Sequence, residues 1–114
     1  FNLCEGLGGV GRGEAEIAGL LELIGYELTG SPADCLSLVR NKVRTKWLLR
    51  GAGLPTAEFC GIAADEDMPT AELQRLLAMG PAIVKPANED ASLGIGPESI
   101  CATIAALEAK TMSR

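Results

Sequence analysis

A chain of 114 residues with 47% hydrophobic content is long enough for one domain with a real core, and its balance suits an α/β protein. Fifteen acidic against 10 basic residues give a net charge of −5, which argues against a nucleic-acid or anionic-membrane surface. No apolar run reaches transmembrane length. Cys4, Cys35, Cys60 and Cys101 form no CxxC pair and no histidine accompanies them, so buried reduced thiols of a cytoplasmic protein are expected rather than a zinc site. A start without methionine and an end inside a helical pattern suggest a piece of a larger protein.

Phe1 to Cys4 reads as the end of a strand, and Glu5 to Gly13 as a glycine-crowded loop. From Glu14 onward, Ile17, Leu20, Leu21 and Ile24 recur at helical spacing and predict a stripe facing a core, with Gly25 as the stop. Residues 26–29 are a short strand candidate. Ser31 as cap and Pro32 at the first position then predict a helix to about Val39. Asn41 can cap a further helix to Gly51, with Val43, Trp47 and Leu48 inward. That helix carries Lys42, Arg44, Lys46 and Arg50, a basic cluster in an acidic protein.

Gly53-Leu54-Pro55 ends the helix and forces an extended chain. Residues 58–63 read as a strand, 65–67 as an acidic turn, and Thr70 as the cap of a helix carrying Leu73, Leu76 and Leu77. Gly80-Pro81 turns into an Ile83-Val84 strand that ends on Lys85 and Pro86. A loop of small and polar residues runs to Gly94, residues 93–95 suggest a returning strand, and Ile104 and Leu107 mark a last helix. A boundary is expected near residues 38–41, between a βαβα half and an αβαβ half.

Two glycine-bearing loops compete for phosphate chemistry. Gly6-Leu7-Gly8-Gly9-Val10-Gly11 satisfies GxGxxG between a strand and a helix, as a dinucleotide site requires. Glu5, Glu14 and Glu16 would repel pyrophosphate there, and Glu27 comes too early for the usual ribose-binding acid. Those carboxylates suit a cationic amine better, with Glu5 as a candidate substrate-facing acid and a solvated loop charge as the simpler reading. The second loop sets Lys85 at a strand end beside Asn88 to Gly94, whose backbone N–H groups can fold over a polyphosphate, despite Glu89 and Asp90. An ordinary hairpin loop with a snorkelling lysine is the alternative on physics alone.

Lys85-Pro86-Ala87-Asn88-Glu89-Asp90-Ala91-Ser92-Leu93-Gly94-Ile95 resembles the flexible nucleotide lid of the ATP-grasp superfamily. Residues 20–31, and Asn41-Lys42-Val43-Arg44-Thr45-Lys46 with Gly51-Ala52-Gly53-Leu54-Pro55, resemble the D-alanine–D-alanine ligase family in order and spacing. The resemblance implies an α/β fold: residues 1–38 ending a Rossmann-like pre-ATP-grasp domain, and 39–114 forming the small α+β ATP-grasp subdomain. It implies ATP contacts at Lys42, Lys85, Glu89, Ser92, Leu93 and Gly94, and substrate contacts at Glu5 and Ala91.

The chemistry implied is phosphorylation of a carboxylate by ATP, followed by amine attack on the acyl phosphate. Magnesium ligands and catalytic residues are expected after residue 114, with none in this stretch, which alone is expected to be inactive. Small carboxylate and amine substrates are the implied partners, without nucleic acid or membrane, and a homodimer is left open. Cys4-Glu5-Gly6, Gly11-Arg12-Gly13-Glu14, Asn41 and Ala91 depart from the usual ligase residues and put D-alanine itself in question. The alternatives are an NAD(P)-binding Rossmann protein using Gly6 to Gly11, and a non-catalytic nucleotide-binding domain.

Overall fold

The computed structural model describes residues 1, 2, 4, 13–63, 66–89 and 94–112. Among the described residues five α-helices and one two-stranded sheet follow in order: α1 (Gly13–Leu23), α2 (Ala33–Val39), α3 (Lys42–Gly51), α4 (Thr70–Ala78), β1 (Ala82–Ile83), β2 (Ile100–Cys101) and α5 (Ile104–Met112). The radius of gyration is 16.6 Å, against about 13 Å for a globular domain of this length. Packing is accordingly divided. One centre lies between α1 and α2, and the other joins α4, α5 and the sheet.

In α1 the buried residues are Gly13, Ala15 and Ala18, the small ones. The expected stripe is not the inward face, since Leu20 and Ile24 are exposed and Ile17 and Leu21 only half-buried. Close approach of α2 decides this: a Cβ on Gly19 would lie 3.4 Å from Ala33 Cβ. A face of alanine and glycine lets the helices meet, and the large side chains are displaced to its flanks. Gly25 does end α1, at φ 84°, with its N–H donating to Glu22 O at 3.0 Å and Tyr26 N–H to Leu21 O at 3.0 Å. That pair of bonds satisfies two otherwise unpaired helix carbonyls.

The cap of α2 differs from expectation. Pro32, not Ser31, holds the N-cap position and the helix begins at Ala33. Proline offers no side-chain acceptor, so carboxylates serve instead: Ala33 N–H donates to Glu22 Oε1 at 3.2 Å, and Cys35 N–H to Asp34 Oδ1 at 2.7 Å. Likewise Pro69 precedes α4 and Thr70 is its first residue, its hydroxyl donating to Met68 O at 3.2 Å. Residues 26–28 and 54–63 are irregular rather than strands. Neither stretch has a partner strand among the described residues; beside the first, Asn2 N–H donates to Thr29 Oγ1 at 3.2 Å.

Leu73 of α4, Cys101 of β2 and Leu107 of α5 form the larger core, with Ile62, Met68, Leu76, Val84 and Ile104 packed against it. The sheet is antiparallel, pairing Ala82 with Cys101 and Ile83 with Ile100. The return strand is therefore 100–101; Gly94 and Ile95 of the expected 93–95 strand are turn and irregular, and Leu93 lies outside the described residues. A 3-10 turn at Pro97–Ser99 intervenes. Ser99 is fully buried there, its Oγ accepting from Gly96 N–H at 3.1 Å and its carbonyl from Val84 N–H at 2.8 Å. Lys110 of α5 holds the turn from outside through Glu98, Nζ to Oε1 2.7 Å.

All four cysteines are free, but only Cys101 is buried. Burial, and then the charge of Glu72, push the Cys60 thiol up from 9.0 to about 11. At pH 8 Cys60 should therefore hold roughly a hundredfold less thiolate than an unshifted thiol and alkylate correspondingly slowly, with Glu72→Gln accelerating it; mass spectrometry of iodoacetamide-treated protein reads both. Because the folded state favours the neutral thiol, its contribution to stability is complete below pH 9.0 and falls away as pH rises to about 11. Urea midpoints across that window should fall less in Cys60→Ala.

Candidate functional site

The site is built where the N-terminus of α3 meets the loop after β1. Asn41 caps α3 as expected, its Oδ1 accepting from Arg44 N–H at 2.8 Å. The same amide turns its Nδ2 outward to Asn88 Oδ1 at 2.8 Å. Lys42 N–H donates to Ala87 O at 2.9 Å, and Lys42 Nζ donates to Glu89 O. Two consecutive residues thus hold three consecutive loop residues some 45 positions on. The first N–H groups of a helix have no partner within it, and here the loop accepts one.

Lys85 lies just past the point where Val84 completes the sheet pairing. Alternation along the strand turns Ala82 and Val84 to the core and puts Lys85 on the outer face with Ile83. Ile83 and its partner Ile100 are 50% and 62% exposed. Lys85 is exposed too, and among the described residues it makes no hydrogen bond or ion pair. A cation therefore stands beside a small apolar platform, two residues before the loop segment that Lys42 holds. Gly94 reopens the described chain with φ 70°, and Glu89 is exposed. Glu5, Ala91, Ser92 and Leu93, and the Gly6 to Gly11 motif, lie outside the described residues.

The rest of the basic cluster has a different use. Lys46 Nζ donates to Thr56 Oγ1 at 3.1 Å and to Ala57 O at 2.8 Å. Arg50 pairs with Glu58 at 2.5 Å, and its guanidinium lies 4.5 Å from the Phe59 ring centre. Trp47 meets Phe59 edge-on at 5.3 Å. Trp47 and Leu48 are exposed rather than inward, while Val43 is half-buried and is the side chain that Gly61 approaches. These contacts hold residues 54–60 against α3 in place of strand pairing. The pair Asn41–Asn88 had no signal in the sequence beyond the capping role of Asn41, since a side-chain amide states nothing about its second partner.

No protein-family model matches the chain, and no solved structure matches it. Curated relatives do. The chain is 38% identical over 95 residues to a D-alanine–D-alanine ligase of Psychrobacter sp. (strain PRwf-1), a match covering 83% of this chain and 27% of the relative. It is 37% identical over 90 residues to one of Pseudomonas putida (strain GB-1), and 36% over 90 residues to one of Pseudomonas entomophila (strain L48), each match covering 78% of this chain and 27% of the relative. All three relatives are ligases by name, and the matched residues belong with them. The family is that of the D-alanine–D-alanine ligases. The chain spans about a quarter of the length of these relatives, at 27%. No helix among the described residues is long and apolar enough to cross a membrane.

Proposed function

We propose that these residues form the nucleotide-clamping part of an ATP-dependent carboxylate–amine ligase that works through an acyl phosphate. Residues 1–38 would end an N-terminal α/β domain, and residues 39–114 would be the small ATP-grasp subdomain. The observation that carries this reading is the joining of Lys42 to the loop after β1, two residues past the exposed Lys85. A polyphosphate bound at this loop would draw on two cations from separate elements, Lys42 of α3 and Lys85 just past the end of β1. Phosphoryl transfer moves negative charge onto the bridging oxygen, and fixed cations there lower the barrier. Ile83 and Ile100 offer an apolar surface for the base. Glu89, Ser92, Leu93 and Gly94 would complete the nucleotide contacts, and Glu5 and Ala91 would face substrate. Closure of the loop would exclude water from the acyl phosphate.

Among the described residues no three His, Cys, Asp or Glu side chains cluster to hold a metal. The open depression of about 400 Å³ near Glu22, Tyr26 and Glu27 is lined by carboxylates and supplies no cation for a phosphate. The test is ADP release by the intact protein with ATP and candidate amino acids, D-alanine among them. Amine-dependent ADP release is expected, while residues 1–114 alone should give none. NADH binding without ATP binding would sink the ligase reading and favour the dinucleotide loop at Gly6 to Gly11.

A further inference from the structure

We propose that Asn41 is a positioning residue that fixes Lys42 relative to Lys85 by tying α3 to the loop after β1, an inference that rests on the nucleotide reading above. Both ends of its amide are engaged. Because Oδ1 accepts from Arg44 N–H, the orientation of the amide is set, and Nδ2 must face Asn88 Oδ1. Beside it, the Lys42 N–H reaches Ala87 O and the Lys42 ammonium reaches Glu89 O. Ala87 is two residues from Lys85, so the tie spans little chain between the two cations. The half-buried Asn41 carries no charge to offer a phosphate; it acts through the chain it secures.

The physical consequence concerns polyphosphates in particular. A ligand that bridges both ammonium groups gains from their being held at one separation, because the second contact then forms without further ordering. A ligand with one phosphate uses one cation at a time and gains little. Entry of a polyphosphate also requires the Lys42 ammonium to exchange the Glu89 carbonyl for phosphate oxygen, which frees the loop while the Asn41–Asn88 bond keeps its base in place.

The test uses the intact protein with Asn41→Ser. Serine is as good an N-cap as asparagine, so the acceptor for Arg44 N–H is kept and only the donor to Asn88 is lost. ATP affinity by isothermal titration should fall roughly three- to tenfold, the order of one hydrogen bond, while AMP affinity stays unchanged. Equal weakening of ATP and AMP, or unchanged ATP affinity, would overturn the positioning role. A charge cycle supplies the second arm. Asn41→Asp alone is accommodated by a flip of the Asn88 amide, and Asn88→Asp alone still accepts from Asn41. The double variant sets two carboxylates against each other, so its ATP affinity should fall well below the product of the two single effects, and simple additivity would sink the tie.

Hydrogen exchange of the Lys42 amide in the nucleotide-free protein separates the two readings. Its exchange should rise in Asn41→Ser, and no rise overturns the tie whatever the nucleotide result. A wild-type protein without ATP affinity overturns the nucleotide reading and the positioning role with it.

Discussion

Lys85→Ala should weaken ATP binding roughly 10- to 100-fold, the range for losing a hydrogen bond to a charged group, and leave the thermal midpoint where it was. The side chain is exposed and makes no bond among the described residues, so nothing in the fold depends on its ammonium. That separation of binding from stability makes the variant informative. Lys46 and Arg50 are the contrast: both are engaged with residues 56–59, and their removal would act on the packing of that segment. Lys85→Arg keeps the charge but replaces a compact ammonium by a planar fork, and should recover only part of the affinity. Titration calorimetry of the intact protein measures all of these, and an unchanged ATP affinity in Lys85→Ala would remove the lysine from the site.

The largest effect on stability is expected from Leu73→Ala. Leu73 is 3% exposed and touches the centre of the α4–sheet–α5 packing, where Cys101 and Leu107 are 2% and 4% exposed. Truncation leaves a cavity in a core with few other large buried side chains to collapse into it. A loss of about 2–4 kcal/mol is expected, a large share of the 5–15 kcal/mol typical of a domain. The melting temperature should drop by roughly 10–20 °C. Leu20→Ala is the control: Leu20 is 57% exposed on α1, and its removal should change stability by no more than about 0.5 kcal/mol. Urea midpoints at constant slope would show both. Equal losses in the two variants would mean that the packing centre is elsewhere.

These contrasts show where the sequence was legible. Local backbone chemistry was. Gly25 and Gly53 end their helices at φ 84° and 69°, Asn41 caps α3, and Lys85 follows directly on the sheet pairing. Each of these depends on a residue and its near neighbours, so spacing suffices to read it. The strands at 26–29, 58–63 and 93–95 were not legible, because a strand exists only with a partner and apolar content does not name one. Gly96 and Pro97 delay the return until Ile100, which puts Cys101 against α4 and α5. Helix faces failed for a related reason: apolar periodicity marks a face able to be buried, while the partner that arrives decides which one is. On α1 that partner is α2, and it chose Ala15 and Ala18.

The loop from Lys85 was recognisable by its residues and by the family they resemble, and the relatives bear out that family. By itself the sequence determined the family, the stops of α1 and α3 and the cap of α3. It could not determine that Lys42 meets the loop after β1, nor that Lys46 and Arg50 meet residues 56–58 instead. Lys42, Lys46 and Arg50 sit on one short helix with the same charge and similar reach. Only the tertiary structure separated them, by bringing Ala87 to Glu89 to the helix's open N–H end and residues 56–59 to its flank.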